Sequence, residues 1–311
     1  MMKTVPIVLS ASVLACSAAA PAKLAAAANE RSAARPPHPK KGLCMTARRE
    51  NGERWRERAA ALGVSWHYSW GPTLPAEEPP GAEFVPMIWG YGGPSDAFLS
   101  TIRALTVAPG KPLRPPLLGF NEPDGKKQAN LSVERALEAW PYLMQTGRRL
   151  GSPAAVHADG AWMREFMTQA EARGYRVDFV CVHWYGGANA QSLVNRLRRI
   201  HEMYGRPIWL TEFAVADWQA ESVEQNRHKP EAVLRFMKEI LPQLDALDFV
   251  ERYAWFSASE KDKALGNSAL FKEDGSLTEL GRCYAEHAYA RGAEAAGGQK
   301  AAGMEAGERV P

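Results

Sequence analysis

The chain has 311 residues, 46% of them hydrophobic and 23% charged, with a formal net charge of +3. This is a globular composition, long enough for one large α/β domain or two smaller ones. The small, dispersed positive excess argues against nucleic acid or an acidic membrane surface as a partner, and no CxxC pair, HExxH or P-loop pattern occurs.

Residues 1–20, "MMKTVPIVLSASVLACSAAA", carry one lysine, an apolar run too short to span a bilayer, and then small residues. That is the pattern of a secretory signal peptide, so the protein is expected to be exported, either secreted or lipid-anchored at the cell envelope. The "VLAC" ending at Cys16 resembles a bacterial lipobox; acylation there and cleavage among the following alanines both stay open. Residues 21–40 are rich in Ala, Pro and Lys and read as a flexible linker. Residues 41–290 form the expected folded unit, a single domain. Residues 291–311 have almost no large apolar groups and read as a disordered tail. Cys44, Cys181 and Cys283 lack a disulfide-framework spacing, so no disulfide is expected.

From residue 42 onward, short β-rich runs alternate with helical ones. The predicted strands are "GLCMT" (42–46), "VSWHYSW" (64–70), "EFVPMIW" (83–89), "PLLGF" (116–120), "PAAV" (153–156), "DFVCVHWY" (178–185), "PIWLTEF" (207–213) and "RYAWFSA" (252–258). Each is apolar or aromatic and bounded by Gly, Pro or polar residues. Between them "ERWRERAAAL", "DAFLSTIRAL", "SVERALEAW", "WMREFMTQAEAR", "LVNRLRRIHEMYG" and "PEAVLRFMKEILPQL" space apolar residues three and four apart, as helices do. Eight strands interleaved with helices over about 250 residues match the size and rhythm of a (β/α)8 TIM barrel. The competing doubly wound sheet lacks its GxGxxG fingerprint here.

In a barrel, reactive side chains gather at the C-terminal ends of the strands. The candidates there are Trp66, His67 and Tyr68; Trp89; Asn121 and Glu122; His183, Trp184 and Tyr185; Glu212; and Trp255 with Phe256. Only two are glutamates. "LLGFNEPD" (117–124) drives an apolar strand into Asn121 and Glu122, and Pro123 is expected to hold Glu122 extended. "IWLTEFAV" admits Glu212 as its one ionisable group, a costly choice unless the carboxylate is paired or used. A buried ion pair or a helix cap would also account for it. Two carboxylates converging over one barrel mouth are what glycoside hydrolysis needs, one as acid and the other as nucleophile or base. The aromatic rings could pack on the C–H faces of sugars, and Asn121 could bind a hydroxyl near the reaction centre. His183 reads as a hydrogen-bonding residue of the site; for His67 a core role and a rim role stay open. Trp140, Trp162 and Trp218 default to core packing or a surface groove. Asp124 is expected to cap the turn or helix after its strand.

The ordered set "GFNEPD", "VDFVCVHWYGG", "WLTEFAV" and "YAWFSA" resembles glycoside hydrolase family 128, β-1,3-glucanases of the 4/7 retaining superfamily, over about residues 42–285. The resemblance implies that Glu122 is the general acid/base and Glu212 the nucleophile, with His183 and Tyr185 beside it. It implies a β-1,3-glucan substrate and no metal or organic cofactor. The expected protein is a monomeric endo-acting glucanase. Its rivals are a hydrolase of another β-linked glycan and a catalytically silent glycan-binding surface protein.

Overall fold

The computed structural model describes residues 38–45, 52–74, 79, 81–107 and 115–289. The expected signal peptide, the Cys16 site, most of the linker and the C-terminal tail lie outside the described residues. In chain order the elements are β1 (His38–Cys44), α1 (Gly52–Leu62), β2 (Val64–Tyr68), β3 (Glu83–Phe84), α2 (Asp96–Leu105), α3 (Val133–Gln145), α4 (Ala161–Ala172), β4 (Val180–Gly186), α5 (Ala190–Tyr204), β5 (Ile208–Val215), α6 (Pro230–Ala246), β6 (Val250–Phe256) and α7 (Glu279–Glu286). Strand β1 begins at His38, inside the segment expected to be linker. His38 and Lys40 are buried there because their polar groups find partners at the ends of other elements.

Six strands form one parallel sheet in the order β3-β2-β1-β6-β5-β4. Parallel bridges Met87↔Leu118, Leu117↔Leu150, Asn121↔Ala154 and Gly151↔Phe179 then carry the ring from the end of β3 back to β4. The barrel is therefore built of eight parallel segments, two of which are stitched by single bridges rather than full ladders. Proline explains the thinning. Pro86, Pro115, Pro116 and Pro153 sit in or beside these segments and cannot donate to a ladder.

Alternation sorts the strand residues into two cores. Cys44, Trp66, Tyr68, Phe179, Cys181, Trp209 and Ala254 point into the barrel. Leu43, Val180, Val182, Leu210, Phe213 and Trp255 point out, against the helices. The interior is filled by stacked aromatics: Trp66 lies on Tyr68 and against Trp209, which stacks on Phe179. Gly42 makes room for this layer, since a Cβ there would sit 2.3 Å from the Trp66 indole. All three described cysteines carry free thiols.

The helices begin and end where their sequences direct. Ser95, Ser132, Asn189 and Thr278 cap α2, α3, α5 and α7 through their side chains. Pro230 opens α6 at a position that needs no N–H, and Gly205 closes α5 with φ of 60°. Helix α3 runs past its predicted end and through Pro141 to Gln145, with Ala139, Trp140 and Leu143 buried. Among the described residues no helix is long and apolar enough to cross a membrane.

Candidate active site

Strand β5 needs an irregularity to aim its glutamate. Trp209 points inward and Leu210 outward, so strict alternation would turn position 212 away from the interior. The pairing with β4 passes from Val182↔Leu210 to His183↔Glu212, leaving Thr211 as an extra residue on β5. This bulge shifts the alternation by one, so Glu212 faces inward and Phe213 outward. Bulges are a common way to re-aim a side chain beside an active site.

Glu122 arrives differently from expectation. Its φ is +42°, so it is not extended despite the following proline. Two backbone bonds hold the conformation: Glu122 N–H donates to Ala154 O at 2.8 Å, and Gly125 N–H donates to Glu122 O at 2.9 Å. Such a left-handed non-glycine residue costs of order 1–3 kcal/mol and persists only where its surroundings over-determine it. Asp124 accepts the backbone N–H of Val156 at 2.8 Å and of His157 at 3.3 Å. It thereby ties the acid's turn to the neighbouring loop instead of capping its own.

The two glutamates meet through His183. Its Nδ1 lies 3.0 Å from Glu122 Oε1, and its Nε2 lies 3.4 Å from Glu212 Oε1, an ion-pair distance. One ligand atom from each of Glu122, His183 and Glu212 lies within 4.8 Å of the others. Burial pulls the His183 pKa down, but the carboxylates of Glu212 and Glu122 outweigh it and raise the pKa above its ordinary value.

Glu212 is 4% exposed and ringed by donors. Tyr68 Oη donates to Oε1 at 2.9 Å, Trp70 Nε1 donates to Oε1 at 2.8 Å, and Tyr185 Oη donates to Oε2. Burial, and then the Glu212 charge, push both tyrosines well above their usual range, so they stay protonated and keep donating. Burial and Glu212 act the same way on the Cys44 thiol. A carboxylate surrounded by three O–H and N–H donors is arranged as a hydrogen-bonded anion; a cation here would face those same hydrogens. The trio therefore suits proton and glycosyl chemistry better than metal binding.

The aromatic candidates divide. Trp89 is 40% exposed at the rim, its carbonyl accepting the Asn121 N–H at 2.9 Å. Tyr185 and Tyr68 touch Glu212. Trp66 is fully buried in the barrel floor, its Nε1 donating to Lys40 O at 3.0 Å. Trp184 and Trp255 point outward: Trp184 stacks on Phe236, and Trp255 donates to Ser268 O at 2.9 Å. These three indoles do not line the mouth. Alternation is the reason, because Trp184 follows inward His183 and Trp255 follows inward Ala254. His67 is a core residue, buried beside Phe84 and with its pKa lowered to about 4 by burial.

In their place stands a wall in which strand-end reading had Tyr185 and Phe256 but missed Trp70 and Trp218. Trp70 meets Phe256 edge-on at 5.8 Å, Phe256 meets Tyr185 at 5.4 Å, and Tyr185 meets Trp218 at 5.8 Å. The period-two series Trp66, Tyr68, Trp70 was the available signal for Trp70. Trp218, 63% exposed, lies in a loop beyond β5 where no period applies. Asn121 is buried; its Nδ2 donates to Gln128 Oε1 at 3.3 Å, and its Oδ1 has no protein partner among the described residues.

A family model described as "Glycosyl hydrolase catalytic core" matches residues 42–284. Among curated proteins, alkali-sensitive linkage protein 1 of Schizosaccharomyces pombe is 32% identical over 234 residues, 71% of this chain. The chain spans 40% of that relative's length. Among solved structures, a GH128 subgroup I endo-β-1,3-glucanase of Amycolatopsis mediterranei, in complex with laminarihexaose, is 36% identical with a TM-score of 0.67. That match covers 79% of this chain and 98% of the other. A GH128 subgroup III curdlan-specific exo-β-1,3-glucanase of Blastomyces gilchristii is 32% identical with a TM-score of 0.59, covering 81% of this chain and all (100%) of the other.

Proposed function

Because the chain belongs to the glycosyl hydrolase catalytic core family and is a glycoside hydrolase related to the GH128 glucanases, we propose that it cleaves β-1,3-glucan internally and with retention of anomeric configuration. The observation that carries this reading is the approach of Glu122 and Glu212 to within 4.8 Å through His183. Retaining enzymes hold their two carboxyl groups roughly 5–5.5 Å apart, whereas inverting ones leave about 6.5–9.5 Å for a water.

Glu212 is the nucleophile. Its donors fix the direction of the carboxylate, and in the first step one of its oxygens attacks the anomeric carbon. Glu122, protonated at that stage, gives its proton to the departing glycosidic oxygen and then takes one from the incoming water. His183 spans the pair, so charge leaving one carboxylate is felt at the other. Trp89, Trp218 and Tyr185 offer ring faces to sugars. Export of the enzyme is part of the proposal, supported by the leader-like residues 1–20 and by a polymer substrate too large to enter a cell.

The test is incubation with laminarin, curdlan, lichenan and carboxymethylcellulose, followed by product sizing and proton NMR of the first-formed anomer. Laminari-oligosaccharides of mixed length with the β-anomer first are the expected result. Glucose as sole product would assign exo cleavage, an α-anomer would assign inversion, and cleavage confined to a β-1,4-glucan would overturn the substrate.

A further inference from the structure

Trp70 combines two features that nothing in its local sequence requires. Its φ is +56°, a left-handed backbone that disfavours a bulky side chain, and its indole N–H ends on the nucleophile. The strain is held in place on several sides. The ring sits edge-on to Tyr68 at 5.4 Å and to Phe256 at 5.8 Å, and Met87 N–H bonds the next residue's carbonyl, Gly71 O, at 2.9 Å. Strain stored this way at a site points to a use.

The use follows from the distribution of donors. A carboxylate oxygen has two lone-pair sites. Oε1 of Glu212 fills both, with Tyr68 at 2.9 Å and Trp70 at 2.8 Å, and His183 Nε2 stands beyond them at 3.4 Å. Oε2 receives Tyr185 alone. We infer that Trp70 is a positioning residue that commits Oε1 to the spectator role, leaving Oε2 as the attacking atom, and that stabilises Glu212 as the leaving group of the second step. This rests on the retaining reading above.

In the first step a bond forms between Oε2 and the anomeric carbon as the glycosidic C–O bond breaks and Glu122 protonates the departing oxygen. Oε1 is then the carbonyl of a glycosyl ester and keeps both donors. In the second step water attacks the anomeric carbon and loses a proton to Glu122, while the C–Oε2 pair returns to the carboxylate. The returning charge spreads onto Oε1, where the two donors already wait. An indole N–H cannot ionise or reverse its role as an O–H can, so this stabilisation is present at every pH.

The experiment uses an aryl β-laminari-oligoside with a good leaving group, for which the second step limits turnover. Trp70→Phe keeps an aromatic ring and removes the N–H. Loss of one oxyanion-stabilising donor is worth about 100–1000-fold; for a donor on the spectator oxygen, across the carboxyl carbon from the attacking atom, kcat is expected to fall about 10–100-fold. KM should fall with it, and the burst of released aryl group should persist while the steady rate after it drops. The acidic limb of kcat/KM should also move to higher pH. The titratable groups facing Glu212 there are Tyr68, His183, Tyr185, Glu122 and Cys44; all are left in place. Benzothienylalanine at position 70 preserves the bicyclic shape with sulfur for N–H, and should show the same signature even if the phenylalanine variant misfolds. A raised KM with unchanged kcat and an unmoved acidic limb would make Trp70 a sugar platform only and overturn the inference. If the unmodified enzyme releases nothing from any β-glucoside, the hydrolase reading itself fails; an active enzyme with indifferent variants sinks only the role of Trp70.

Discussion

Trp218 and Trp66 show how one side-chain type takes opposite duties. Trp218 is 63% exposed and edge-on to Tyr185 beside Glu212, whereas Trp66 is fully enclosed. Trp218→Ala is expected to weaken laminari-oligosaccharide binding by about 1–2 kcal/mol, the scale of burying part of a large apolar side chain, and to leave the melting temperature unchanged; titration calorimetry and a thermal melt on the same sample check both. Trp66→Ala should do the reverse, removing about 3–5 kcal/mol of stability through the cavity left behind. At the catalytic pair, Glu212→Gln should abolish turnover on every substrate. Glu122→Ala should keep the first step for substrates with good leaving groups, and added azide should restore turnover as a glycosyl azide of unchanged configuration. Azide rescue of Glu212→Gln in place of Glu122→Ala, with a glycosyl azide of unchanged configuration, would reverse the roles. The approach of the two glutamates was legible because each stands at or near the end of an apolar strand. The wrongly placed indoles were not, because a strand end alone does not say which of two adjacent aromatics faces inward.

Among the elements, β1 does more than pair. Lys40 Nζ reaches the carbonyls of Leu244, Asp245 and Leu247 at 3.3, 3.0 and 2.9 Å, at the C-terminus of α6. Lys41 Nζ reaches those of Tyr284, Ala285 and His287 at 2.8, 3.3 and 3.2 Å, at the C-terminus of α7. Each ammonium satisfies carbonyls left over at a helix end and meets the negative end of its dipole. Lys41→Met is expected to cost about 2–3 kcal/mol, since hydrogen bonds to a charged group contribute about 1.5–3 kcal/mol; urea denaturation measures it, and activity at room temperature should survive. A linker reading of "HPKK" had no access to this, because the partners are more than 200 residues away. The helices and most strands were legible from their periods. The Thr211 bulge was not, since one extra residue in "IWLTEFAV" alters no local propensity and appears only against the register of β4. The left-handed Glu122 was hidden for the same reason: its turn is set by Ala154 and Gly125, overriding the extended preference that Pro123 imposes.

For the molecule as a whole, the floor of the barrel carries a lock between its first strand, its longest helix and its last described segment. Asp245 on α6 receives His38 Nε2 at 3.1 Å, His287 Nε2 at 2.8 Å and Tyr253 Oη at 3.1 Å. His38 Nδ1 accepts the backbone N–H of Lys40 and Lys41 at 3.3 and 3.1 Å, which leaves Nε2 as the protonated, donating nitrogen. That tautomer makes the trio a proton-donating clamp rather than a metal site. Burial opposes the Asp245 charge, but the bonds from His287 and His38 prevail and hold its pKa at about 2, against about 3.9 in an unfolded chain. A depressed carboxyl pKa stabilises the fold fully above pH 4, and that contribution disappears as pH falls through 2. It amounts to about 2–3 kcal/mol, so denaturant midpoints should drop between pH 4 and pH 2, and Asp245→Asn should flatten that part of the curve.

The packed floor above this lock also governs traffic. With Trp66, Tyr68, Trp209 and Phe179 filling the interior, nothing passes through the barrel, so product leaves and hydrolytic water arrives on the same side, the one that carries Glu122 and Glu212. On the retaining mechanism proposed above, water and sugar then compete on that side for the glycosyl-enzyme. A saccharide waiting there at high concentration takes water's turn as acceptor, and Glu122 strips the proton from its hydroxyl as it would from water. Raising laminari-oligosaccharide concentration is thus expected to yield products longer than the starting sugar, visible by mass spectrometry at early times, and to slow the release of reducing ends without slowing consumption of substrate.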